Sequence, residues 1–171
     1  LHNTLFPYTT LFRSVALDAG RVAEASDRSR EAARHLSSHR LDAYEHAWQE
    51  ALCFTQLGEI ALAEGDAAEA DAHLRAALEL ARAWHLVPAM LRSFLAFGRL
   101  LRSRAEAENA ALLLAHAAEN PASPAEAARK ARQELMTLPA NLAAVATSRS
   151  GATTVAEIAQ RLAAGDLSQI A

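Results

Sequence analysis

The stretch Leu57–Ala81, LGEIALAEGDAAEADAHLRAALELA, aligns without a gap on Phe97–Pro121, FGRLLRSRAEAENAALLLAHAAENP. Gly58 falls on Gly98, forty positions on, and Ala70, Leu74 and Ala77 fall on Ala110, Leu114 and Ala117. A glycine inside a helix costs about 1 kcal/mol relative to alanine, so propensity does not explain Gly58 and Gly98. Close approach of a second helix does. Alanines seven apart put a small stripe on one face of that second helix, where a neighbour can lie close. Gly65-Asp66 then ends one helix and caps the next. In the second copy the turn reads Arg104-Ala105-Glu106, a weaker signal. The pattern predicts repeated helical hairpins and an all-α fold.

Working outward, Gly20–Leu36, GRVAEASDRSREAARHL, aligns with the second helix of a hairpin: Gly20 on Gly65, Ala25 on Ala70, Ala32 on Ala77. With Leu57 and Gly58 in the first helix, Ala70 and Ala77 in the second, and Phe54 and Leu74 at the bulky positions, the first copy resembles the tetratricopeptide repeat. The second copy keeps Phe94, Phe97, Gly98, Ala110, Leu114 and Ala117. The resemblance implies a right-handed α-α superhelix, one truncated repeat followed by two whole ones, with helical caps at the C-terminus. That family's unit is about 34 residues, and HEAT-like pairing at about 40–47 stays open as an alternative geometry. Helices are predicted at about 20–37, 42–64, 67–84, 87–103 and 106–119. Ser123-Pro124-Ala125-Glu126 predicts an N-cap, N1 proline and N3 glutamate for a helix to about Thr137. Pro139 opens a short helix, and Thr154 with Glu157 makes a capping box for a last one ending at Gly165. The expected division is residues 1–14, a repeat region over 15–137 and a cap over 138–171. A repeat buries its apolar face only on neighbours, so helix 20–37 is expected to be the frayed end.

Residues 1–14, LHNTLFPYTTLFRS, break with everything that follows: they are β-branched and aromatic and carry one charge. Thr4–Ser14 resembles the in-frame translation of a short-read sequencing adapter, and the segment is expected to be non-native and set aside. A signal peptide fits poorly, since Pro7 and three threonines interrupt any apolar stretch; an edge strand is the other competing reading. Without Arg13 the remaining chain carries −4 rather than −3. The native N-terminus is expected upstream of Val15, beyond this chain.

Hydrophobic residues make up 51% and charged residues 22% of the 171 positions, which argues against disorder. Much of the apolar share is alanine, which favours tightly packed helices over strands. The acidic balance supplies no global attraction for nucleic acid or anionic membrane. No run approaches the roughly 20 uncharged apolar residues of a membrane span. A cytoplasmic protein is expected. Cys53 has no partner for a disulfide and sits in an apolar helical run, where a small buried side chain is expected.

Chemistry is thinly represented. His35 and His39 stand four apart, a metal-binding spacing, but no third ligand accompanies them, and RHLSSHR suits a helix C-terminus. His46, His73, His85 and His116 are scattered and expected to be exposed or helix-terminal. There is no glycine-rich phosphate loop, no nucleophile elbow and no cysteine pair. Neither an active site, a cofactor nor a metal is expected. Arg92, Arg99 and Arg102 recur at spacings of seven and three, which places them on one stripe of helix 87–103. In tetratricopeptide proteins the first helices line the concave groove; the resemblance puts these arginines, with Thr55 and Glu59, at groove-facing positions. Guanidinium forks there would hold a partner's carboxylates; a solvated, salt-bridged helix face is the competing reading. Trp48 with Tyr44, and Trp84 at a helix end, are candidate interface anchors or fillers of wide inter-repeat gaps; Trp48 is expected in the core, and both readings stay open for Trp84.

Thr154–Leu162, TVAEIAQRL, looks like the second helix of a helix-turn-helix, yet past Gly165 there is only DLSQIA, with no lysine or arginine for phosphates. It reads better as an amphipathic cap covering the last repeat. The long-period repeats, the connector ENPASPAEAARKARQELMTLP (Glu119–Pro139) and the terminal amphipathic helix resemble the C-terminal repeat regions of LuxR-type and antibiotic-regulatory-type bacterial regulators. That resemblance implies a module that binds another protein, or an upstream domain of the same polypeptide, on its repeats. A stand-alone adaptor and a fragment of a helix-turn-helix DNA-binding regulator are the alternatives.

Overall fold

Asp42 starts the first helix by accepting the backbone N–H of Glu45 at 2.8 Å, a side-chain cap that offsets one orphan donor. From there the computed structural model, which describes residues 42–166 together with Asp27, is helical throughout. Its elements are α1 (Ala43–Glu64), α2 (Ala67–Ala83), α3 (Val87–Ser103), α4 (Ala107–Glu119), α5 (Ala125–Leu135), α6 (Ala140–Arg149) and α7 (Val155–Ala164). The helices from α1 to α4 lie within a residue or so of their predicted spans. Of the predicted helix 20–37 only Asp27, helical and exposed, is among the described residues. No described helix is long and apolar enough to cross a membrane.

Chain reversals follow one recipe. α1 ends at Gly65 (φ 85°), where Asp66 N–H donates to Ala61 O at 2.9 Å. Forty residues on, Ala105 adopts φ 62° and Glu106 N–H donates to Leu101 O at 2.9 Å. The turn lacking its glycine therefore keeps the left-handed geometry, because the bond to the last helical turn outweighs the Cβ penalty of about 1–2 kcal/mol. His85 (φ 54°) ends α2 in the same way.

Each helix packs on the next from α1 to α5, and α1, α3 and α5 also touch in sequence. They form a row of first helices, backed by α2 and α4. One close approach repeats in the two hairpins: an added Cβ at Gly58 would lie 2.6 Å from Leu74 Cγ, and at Gly98 2.9 Å from Leu114 Cγ. The core is Leu74, Leu78, Phe94, Phe97, Leu100, Leu101, Leu113 and Leu114, all fully buried and framed by Ala70, Ala77, Ala110 and Ala117. Cys53 is buried, and Trp48 packs on the core from its edge. His116 stands in the last turn of α4, the helix-terminal place expected, but it is buried rather than exposed, against the Phe94 ring at 6.2 Å between centroids, because α4 is apolar on nearly every face.

Past α4 the sequence signals diverge. The cap at Ser123 does not form; Asn120 accepts the Ala122 N–H at 2.9 Å, the turn lengthens, and Pro124 takes the N-cap position with no side-chain bond. The Thr154–Glu157 capping box does form. Accepting the Thr154 backbone N–H holds the Glu157 carboxyl below its ordinary value. α6 folds back on α4, and α7 seats on α2 and α3 through Val155, Ile158, Ala159 and Leu162. The expected cap over the last hairpin thus covers mainly the seam between the two.

Candidate protein-binding groove

Among the five residues expected to face a partner, Thr55 is out of reach. It is fully buried, its hydroxyl 2.8 Å from that of Ser93 across the α1–α3 seam. Each hydroxyl also lies near its own i−4 carbonyl, Ala51 for Thr55 and Ala89 for Ser93. With two protons among these contacts, one hydroxyl bonds the other while its partner donates into its own helix. The residue types that mark a solvated face in sequence are here an interhelical tie.

The other four stay on the row of first helices. Glu59 of α1 reaches Arg99 of α3, Nη1 to Oε1 at 3.4 Å. Arg99 Nε donates to Glu134 Oε1 of α5 at 3.0 Å, and Arg102 Nη1 donates to the other oxygen of the same carboxylate. A chain of charges therefore runs across α1, α3 and α5. These side chains remain partly exposed, 31% for Arg99 and 33% for Arg102, so the forks are held in place without being closed off. Arg92 shares the stripe but forms no ion pair among the described residues; it lines a hollow with Glu59, Leu95, Glu126, Ala127 and Lys130.

Beside the Arg99–Glu134–Arg102 bridge opens a groove of about 470 Å³, lined by Arg99, Arg102, Arg129, Lys130, Gln133, Glu134 and Thr137. Four cationic side chains there face one carboxylate, on a chain whose net charge is −3. Arg129, Lys130 and Glu134 escape a sequence reading centred on α3. The only available signal is order: if alternate helices share a row, the connector after α4 must supply the third member.

A second cluster stands between α2, α3 and α7. Arg75 donates to both oxygens of Asp71, at 2.5 and 3.1 Å, places its guanidinium 5.9 Å from the Phe97 ring centroid, and donates Nη1 to Leu162 O at the end of α7. Arg104 adds 3.0 Å to Asp71 and 3.1 Å to Ala67 O. Burial works to raise the Asp71 carboxyl, but Arg75 and Arg104 outweigh it and hold the group below its ordinary value. This cluster ties elements together.

The remaining candidates are dispersed. Tyr44 is exposed and Trp84 partly so, at the end of α2. His35 and His39 lie outside the described residues, as do residues 167–171. Among the described residues no three His, Cys, Asp or Glu side chains come together as metal ligands would. No family model, no curated protein and no solved structure matches the chain.

Proposed function

We propose that this chain is a protein-interaction module, a tetratricopeptide-like right-handed superhelix that grips a partner on the row α1, α3, α5 and performs no chemistry of its own. The observation that carries this reading is the open, cation-rich groove on that row, whose arginines are oriented by Glu134 yet keep part of their surface in water. Ordered forks bind with less entropy left to lose. The repeated Gly58–Leu74 and Gly98–Leu114 approach supports the superhelical reading, since one contact made twice gives one rotation repeated. By the family resemblance, the module serves a larger bacterial signalling or transcription-regulatory protein, and flexing between hairpins transmits the bound state to an upstream domain.

Two experiments test this. A photo-crosslinking residue at Thr137, in the groove, should yield a discrete adduct in the native cell, and one at Glu79 on exposed α2 should not. Adducts from Glu79 alone would place the partner elsewhere. Reading the genomic frame upstream of Val15 should reveal an effector domain in frame; a free-standing frame would make the protein an adaptor instead.

A further inference from the structure

We propose that the groove between α3 and α5 is specific for an acidic peptide, and that Glu134 is an internal carboxylate occupying its place until the partner arrives. The proposal rests on the interaction-module reading and adds the chemistry of the partner. Its starting point is what Glu134 already does. One carboxylate, on a neighbouring helix, spans two guanidinium groups with one oxygen to each. The site therefore already accepts the group proposed as its ligand, through one charge-assisted bond from each guanidinium.

Charge left over after that bridge points the same way. Among the described residues Arg102 spends only Nη1 on Glu134, and Arg99 spends Nε and Nη1 on Glu134 and Glu59. The Nη2 donors of both arginines are uncommitted. Arg129, exposed, bonds only Gln133 one turn along its own helix, at 3.1 Å. Lys130 is already paired with Glu126 at 3.1 Å, so the donors open to incoming carboxylates are the two Nη2 groups and the Arg129 guanidinium. A peptide with several acidic side chains satisfies them and can take the arginines from Glu134, which then turns to solvent.

A nucleic-acid strand is the competing anion, and the carboxylates decide against it. Glu59, Glu126 and Glu134 stand among the basic groups on this row, so a continuous line of phosphates meets repulsion at intervals. A flexible peptide can place its acids at the arginines and uncharged residues at the glutamates. The net charge of −3 adds no long-range pull toward polyanions.

The test uses the full chain and fluorescein-labelled peptides of alternating Glu and Ala, Ser and Ala, or Lys and Ala, with a duplex DNA as control, read by fluorescence anisotropy. The Glu peptide should bind, and binding should weaken between about 50 and about 500 mM NaCl as screening shortens. Glu134→Gln should tighten it about 3- to 10-fold, because the binding-competent state no longer competes with an internal anion. Arg129→Glu should weaken it about tenfold. Since Glu134 also ties α3 to α5, a melting curve accompanies E134Q; if that variant is destabilised, R129E decides, breaking only an exposed bond within α5. No binding of the Glu peptide to wild type, no effect of R129E, tighter binding of the DNA, or no gain from a stably folded E134Q would each overturn the proposal. An uncharged peptide bound in the groove with equal affinity would also overturn it while leaving the interaction-module reading intact.

Discussion

A methyl group at position 58 would sit 2.6 Å from Leu74 Cγ, 2.7 Å from Leu74 Cδ2 and 3.3 Å from the Ala70 carbonyl oxygen. Leu74 is fully buried in the core, so it has no free volume into which to retreat. Gly58→Ala should therefore lower stability by about 1–2 kcal/mol net, overpacking exceeding the helix-propensity gain of up to about 1 kcal/mol. Urea unfolding checks this. In a Leu74→Ala background only the 3.3 Å approach to the Ala70 carbonyl remains, so the same substitution should cost clearly less, a coupling that a double-mutant cycle reads directly. Gly58 was legible in sequence because a glycine within a helix is costly unless a second backbone or a large side chain needs its missing Cβ. Thr55 was not: a threonine on a helix surface and one sealed against Ser93 look alike until α3 is in place.

Helix ends show how local signals and tertiary demands divide the work. The chain reverses after α3 at Ala105, φ 62°, where the equivalent position after α1 is Gly65. Ala105→Gly should relieve the left-handed penalty and raise the midpoint of urea unfolding, a gain of about 0.5–1 kcal/mol; a loss would mean the strain is absorbed elsewhere. α7 poses the opposite case. Its capping box was readable from Thr154 and Glu157, but its seat was not, because the Arg75 that reaches Leu162 O lies 87 residues upstream. Arg75→Met keeps the aliphatic stem and removes the donors. It should speed hydrogen exchange across Val155–Ala164 while α1 and α4 keep their protection; unchanged exchange in α7 would show that the apolar face alone holds it. Burial of Ile158 and Leu162 contributes about 1.5–3 kcal/mol per side chain, so partial opening rather than release is expected.

At the scale of the molecule, one buried base links stability to acidity. His116 lies at the α3–α4 interface, 3% exposed, with Nε2 lacking a hydrogen-bond partner among the described residues. Burial disfavours the imidazolium and lowers its pKa below 6.5. The unfolded chain then binds the proton more readily than the folded one. Stability is full above about pH 6.5 and is lost as pH falls through the window below it, by up to about 1.4 kcal/mol per pH unit for this group. His116→Leu should flatten that part of the profile in urea melts at pH 7.5 and 5.5; an unaltered slope would acquit the residue. What the sequence by itself determined was helical content and hairpin order: the forty-residue period, the internal glycines, the alanine stripes and the Gly65 turn are local or near-local signals. Only the tertiary structure decided which stripe residues reach solvent, that α5 completes the arginine row with Glu134, and that α6 and α7 fold back. Those outcomes depend on the rotation of each helix about its axis and on contacts between residues 32–87 positions apart, and helical periodicity carries information about neither.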